Sequence, residues 1–130
     1  TEISMAVSIL GGKTKEEKLF EFARDIINTL KKDYNVILSA RGIMTIFPEC
    51  DYHLFITADL DIRVKRKHNQ YINETEEKIK ENIIIRDELQ KNAGYYDLNE
   101  KTKVIDVTEC KSIKESTEKV LEFINIAVEV

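Results

Sequence analysis

The sequence predicts an α/β domain built on a parallel sheet, and three observations point there. Short apolar runs alternate with amphipathic stretches, the amphipathic stretches open on helix-capping residues, and 130 residues suffice for one hydrophobic core. The expected arrangement is three-layered, a parallel sheet with helices on both faces.

Taken in chain order, Ile3 to Leu10 is apolar enough for a strand or a buried helix, and periodicity does not choose between them. Thr14 with Glu17 has the spacing of a capping box. Beyond it Leu19, Phe20, Phe22, Ala23, Ile26, Ile27 and Leu30 recur at threes and fours, which predicts a helix to about Lys32. Val36 to Leu38, His53 to Thr57 and Val104 to Val107 read as parallel strands joined by right-handed crossovers, with Pro48 in the loop between the first two. A short basic helix is expected from about Leu60, with Asp59 as its cap. Asn73 with Glu76 predicts the next helix, which carries Ile79, Ile83, Ile84 and Leu89 and stops at Gly94 in a left-handed conformation. Ser112 with Glu115 caps the last helix, whose Ile113, Val120, Leu121, Ile124 and Ala127 should pack on the sheet.

A formal net charge of −4 and a pI near 5.3 exclude a broad basic surface for nucleic acid or anionic membranes. No stretch is long and uncharged enough to span a bilayer, and no signal peptide pattern opens the chain, so a cytoplasmic location is expected. Cys50 and Cys110 form no CxxC pattern, and His53 and His68 lack zinc-site spacing, so free thiols and no structural metal are expected. The basic cluster Arg63, Lys65, Arg66, Lys67 and His68 suits a solvated helix face or an anion.

Open parallel sheets bind ligands beyond the carboxyl ends of their strands, which directs attention to Arg41, Asp59 and the segment from Asp106 to Glu109. Arg41 is the most useful of these, because a guanidinium can hold phosphate oxygens by two parallel hydrogen bonds. Gly11-Gly12-Lys13-Thr14 has the look of the end of a phosphate-binding loop. The glycine such a loop needs five positions before Gly12 is replaced by Val7, so the segment reads as a turn and helix cap. No serine–histidine–acid set is present, and Cys50 near His53 reads as packing rather than as a nucleophile.

Ala40-Arg41-Gly42-Ile43-Met44-Thr45-Ile46-Phe47-Pro48, followed by Asp51 and Leu54-Phe55-Ile56-Thr57-Ala58, resembles the cytidylate kinase family. That family shows Gly-Arg-Asp, a hydrophobic residue, Gly-Thr, two apolar residues and Phe-Pro, then a strand ending in Thr-Ala or Asp-Ala. Ile62-Arg63-Val64-Lys65-Arg66-Lys67 resembles its arginine-rich helix, Arg86-Asp87 the start of its Arg-Asp-x-x-Asp-x-x-Arg motif, and Val104-Ile105-Asp106-Val107-Thr108 its Ile-Asp-Thr-Ser strand. Order and spacing agree from about Leu19 to Ile124. Among the departures from the pattern, Gly42 and Gln90 stand where the family has acidic residues, and Ala93 stands where it has arginine.

The resemblance implies the P-loop nucleoside monophosphate kinase fold and transfer of the ATP γ-phosphoryl group to CMP or dCMP with Mg²⁺. Arg41 and Arg86 would contact the monophosphate substrate, Arg63, Arg66 and Lys67 would lie toward the lid and the phosphates, and residues from about 60 to 95 would form a helical lid region. No protein-bound metal is implied. The family's amino-terminal third, with its phosphate loop, would lie upstream of Thr1. The chain is therefore expected to be one incomplete domain over 1–130, complemented by a homodimer partner or a segment supplying the loop; the alternative is a non-catalytic nucleotide-binding or assembly module.

Overall fold

The computed structural model describes residues 17–128, with side chains from 19 to 124. The elements are α1 (Glu17–Leu30), α2 (Ile43–Ile46), β1 (His53–Thr57), α3 (Leu60–Gln70), α4 (Glu76–Asn92), β2 (Thr102–Asp106) and α5 (Ile113–Val128). Contacts group the described residues into two units, one of residues 17–51 and 84–98 and the other of 52–83 and 99–128, so that α4 begins in one and ends in the other. Ile3 to Leu10, the Gly11 to Thr14 turn and the cap at Thr14 lie outside the described residues.

In the first unit, α1 presents one row of its apolar residues to a small core. Ile27 is buried with Ile46 and Phe47, and Phe20, Ala23 and Cys50 pack against them. The neighbouring row, Leu19, Phe22, Ile26 and Leu30, is exposed. Arg24 ties α1 to the segment after α2: Nη1 donates to the Ile46 carbonyl (3.1 Å) and to Glu49 Oε2 (3.0 Å), and Nη2 pairs with Glu49 Oε1. Its guanidinium carbon also lies 5.1 Å from the centre of the Phe47 ring, a cation–π arrangement.

Among the described residues the expected strand Val36 to Leu38 has no partner: residues 35–40 belong to neither strand of the sheet. A strand exists only as part of a ladder, and the described residues supply no neighbour for this run; Ile37 is 93% exposed. Pro48 consequently sits in a turn after α2 rather than between two strands.

In the second unit, β1 and β2 form a two-stranded parallel sheet in the register His53 to Thr102 through Thr57 to Asp106. This parallel pairing bears out the α/β class. Ile105 is 1% exposed, and the Val107 N–H extends the ladder by donating to the Thr57 carbonyl (2.8 Å). Val64 of α3 packs with Ile79 and Ile83 of α4, and Leu60 joins them, so a turn-by-turn seam holds the two helices together.

Helix termini follow local chemistry closely. Ser112 Oγ accepts from the Glu115 N–H (3.1 Å), and the Glu115 carboxylate accepts from the Lys111 N–H (2.7 Å). At α4 the cap is Thr75 rather than Asn73: Thr75 Oγ1 accepts from the Lys78 N–H (3.3 Å), its carbonyl accepts from Ile79, and Asn73 stays in the preceding turn. Asp59 precedes α3 as expected but makes no side-chain cap bond; its N–H instead donates to Thr108 Oγ1 (2.9 Å). Ile113 is an exposed residue, so the apolar face of α5 begins further along, at Val120 and Ile124, which are half-buried.

Candidate functional site

The end of α4 builds the site in the first unit. Gly94 has φ of +81°, which only glycine adopts without strain, and two hydrogen bonds close the helix around it. The Tyr95 N–H donates to the Gln90 carbonyl (3.0 Å) and the Gly94 N–H to the Lys91 carbonyl (3.0 Å), the paired pattern of a Schellman stop. This stop fixes where the chain leaves the helix, with Tyr96 reaching back to its last turns and the Tyr95 ring lying against Gly42.

Gln90 is the centre of the resulting network. It is 0% exposed, and its amide oxygen accepts from Arg41 Nη1 across 49 residues of sequence. Tyr96 Oη lies 2.8 Å from the same oxygen and 3.1 Å from Asp87 Oδ1, and its single proton serves one of the two at a time. Arg86 lies four residues and Asp87 three residues before Gln90, so each neighbours Gln90 on the surface of α4. Arg86 Nε is buried with no hydrogen-bond partner among the described residues. An unpaired buried N–H costs about 1–3 kcal/mol.

Gly42, directly after Arg41, is also in the left-handed region, at φ +69°. A Cβ at this position would lie 2.6 Å from Tyr95 Cδ1 and 2.9 Å from Cε1, so the tyrosine ring rests on the bare backbone beside Arg41. Two of the expected site residues, Arg41 and Arg86, thus belong to one unit, where Arg41 meets the helix face that carries Arg86.

Arg63, Arg66 and Lys67 belong to the other unit, on α3, and all three are half-buried. Arg66 Nη2 donates to the carbonyl oxygens of Val107 (2.8 Å) and Cys110 (2.7 Å), with that of Thr108 at 3.4 Å. It therefore braces the segment after β2. Asp106 accepts from the Thr108 hydroxyl (2.6 Å) and N–H (2.8 Å), and these bonds, with Lys119 nearby, hold its carboxyl below the usual carboxylate range. At the other end of the sheet His53 is buried, with Nδ1 2.7 Å from Thr102 Oγ1. Burial pushes the His53 imidazole below its ordinary value, and the Lys101 charge adds in the same direction.

Gln90, Tyr95 and Tyr96 were not among the expected site residues. Two tyrosines immediately after a glycine helix stop were the available signal, because a left-handed stop directs the following side chains back onto the helix. Among the described residues no group of three or more His, Cys, Asp or Glu is placed to hold a metal, and no helix is long and apolar enough to cross a membrane. Both cysteines are free, Cys50 as part of the first unit's packing.

Comparison with known proteins matches residues 1–126 to the family described as cytidylate kinase. A protein named cytidylate kinase from Clostridioides difficile (strain 630) is 34% identical over 98 residues, covering 71% of this chain and 45% of its own length. One named cytidylate kinase 1 from Borreliella afzelii (strain PKo) is 37% identical over 65 residues, covering 48% of this chain and 29% of its own. The chain spans less than half the length of these curated relatives.

Proposed function

The chain belongs to the cytidylate kinase family, and from that premise we propose that it contributes the monophosphate-binding part of a CMP or dCMP kinase. In the complete enzyme, on the three-layered P-loop kinase fold, a phosphate oxygen of the monophosphate bonds to the γ-phosphorus of ATP as the bond to ADP breaks, yielding CDP or dCDP. Such a transfer depends on positioning and charge compensation rather than covalent chemistry by the protein.

The observation that carries this proposal is the meeting of Arg41 with the α4 face bearing Arg86 and Gln90. Two family-like motifs far apart in sequence come together at one guanidinium. Gln90, a neutral acceptor, orients Arg41, and Arg86 on the same face of α4 brings a second guanidinium. Both suit phosphate oxygens.

Arg63 and Lys67 are proposed to serve the lid, within residues of about 60–95, and the transferring phosphates. Arg66 shares that role only through the nitrogens other than Nη2, which braces the loop after β2. Mg²⁺, which the family implies, would neutralise the transferring phosphates when carried in on them, and the cationic donors here fit phosphate rather than a protein-held metal. Gln90 and Ala93 at the family's acidic and arginine positions favour a second proposal, a nucleotide-binding module without catalysis.

Titration with CMP followed by thermal unfolding tests the monophosphate site. At about a hundredfold excess over Kd, binding adds about 2.7 kcal/mol of stability. Arg41→Ala should abolish this gain, and an unchanged gain would remove Arg41 from the site. ADP release in the presence of ATP, Mg²⁺ and CMP separates the kinase from the non-catalytic module.

A further inference from the structure

We infer that Tyr95 is the base-binding residue of the monophosphate site, its ring forming the platform on which the nucleobase lies; this rests on Arg41 holding the phosphate. In the sequence Tyr95 is marked only by its place after the Gly94 stop. Its claim comes from three constraints that act together at one point of the first unit.

The Gly94 stop sets the first constraint, because the 3.0 Å bond from the Tyr95 N–H to the Gln90 carbonyl fixes the backbone from which the ring projects. Gly42 sets the second. With φ at +69° and no Cβ, it leaves open the space the ring occupies, 2.6 Å from where a side chain would begin. The third is Arg41 itself, adjacent to Gly42 in sequence and bonded to Gln90, whose carbonyl holds the Tyr95 N–H. A guanidinium for the phosphate and a half-buried aromatic face beside it are the two elements that a nucleoside monophosphate needs. The same geometry accounts for Gly42 at a position where the family carries an acid: any side chain there would displace the ring.

An aromatic face recognises a base by stacking, which adds about ten- to a hundredfold in affinity for one base. The Tyr96 hydroxyl meets Gln90 and Asp87, so its role is read from those bonds. It positions the network.

The test compares CMP with ribose 5-phosphate, which offers the phosphate and sugar without a base, by calorimetric titration of the whole chain. The unsubstituted protein should prefer CMP by about tenfold or more. Tyr95→Leu, which keeps apolar volume but no aromatic face, should bring the two affinities to within about threefold by weakening CMP alone, and Tyr95→Phe should keep the preference. Retained ribose 5-phosphate binding shows that each Tyr95 variant is folded; Arg41→Ala, its fold checked by circular dichroism, should weaken both ligands together. If Tyr95→Leu keeps the full preference for CMP while Arg41→Ala loses both ligands, the platform is overturned and the phosphate site stands. If the unsubstituted protein binds neither ligand, or Arg41→Ala binds both unchanged, the phosphate site fails and the platform with it.

Discussion

The contact between Arg41 and Gln90 can be measured by a double-mutant cycle of Arg41→Ala and Gln90→Leu. Gln90 is fully buried and Arg41 exposed, so the two ends lose differently when the bond is cut. A hydrogen bond to a charged group contributes about 1.5–3 kcal/mol when both partners are sheltered. Arg41 regains water once released, which discounts that range to a coupling of about 1 kcal/mol. Leucine fills much of the volume of glutamine, so Gln90→Leu opens no large cavity. Tyr96 keeps an acceptor in Asp87 at 3.1 Å, and any other bond of the Gln90 amide cancels within the cycle. Urea unfolding of the four proteins, followed by circular dichroism, gives the coupling. Additivity to within about 0.3 kcal/mol would refute the claim that Gln90 orients the guanidinium.

Three other outcomes follow from the packing and the caps. Ile79→Ala empties the seam between α3 and α4, where Ile79 is 1% exposed, and should cost about 2–5 kcal/mol by urea unfolding. Ser112→Ala removes the acceptor for the Glu115 N–H and should destabilise by about 0.5–2 kcal/mol, with faster amide exchange confined to the first turn of α5. His53 has a folded-state value below its ordinary one of about 6.5, so the unfolded chain takes up the proton first on acidification. Its stabilising contribution is therefore complete above that value and declines as the pH falls from there through the folded-state value. His53→Gln should flatten this part of the stability profile, and an identical profile would refute the assignment.

What was legible in the sequence was mostly what neighbours along the chain decide. The Ser112 cap and the Gly94 stop are local hydrogen-bond choices, and both are where the residues put them. Asn73 against Thr75 was a closer competition, because either oxygen can cap; Asn73 falls in a turn, and Thr75 wins. Val36 to Leu38 has strand composition, but a strand also requires a partner, which no pattern within the run reveals. The amphipathic stripe of α1 located the helix without showing that only Phe20, Ala23 and Ile27 face the core. At the candidate site, Arg41 and Arg86 stand out as charges in family-like motifs, whereas Gln90 looks like a loss until Arg41 is seen resting on it. Arg66 was conspicuous for its charge, yet its Nη2 is used on neutral carbonyls brought close by the sheet.

The run from Asn35 to Ala40 has a consequence for handling the protein. With Ile37 93% exposed between Val36 and Leu38, this apolar surface segment is of the kind that self-associates. Lys31, Lys32 and Asp33 before it and Arg41 after it act as gatekeepers, since stacking copies in register would stack like charges as well. Concentrated stocks should therefore cloud sooner in high salt, where that repulsion is screened.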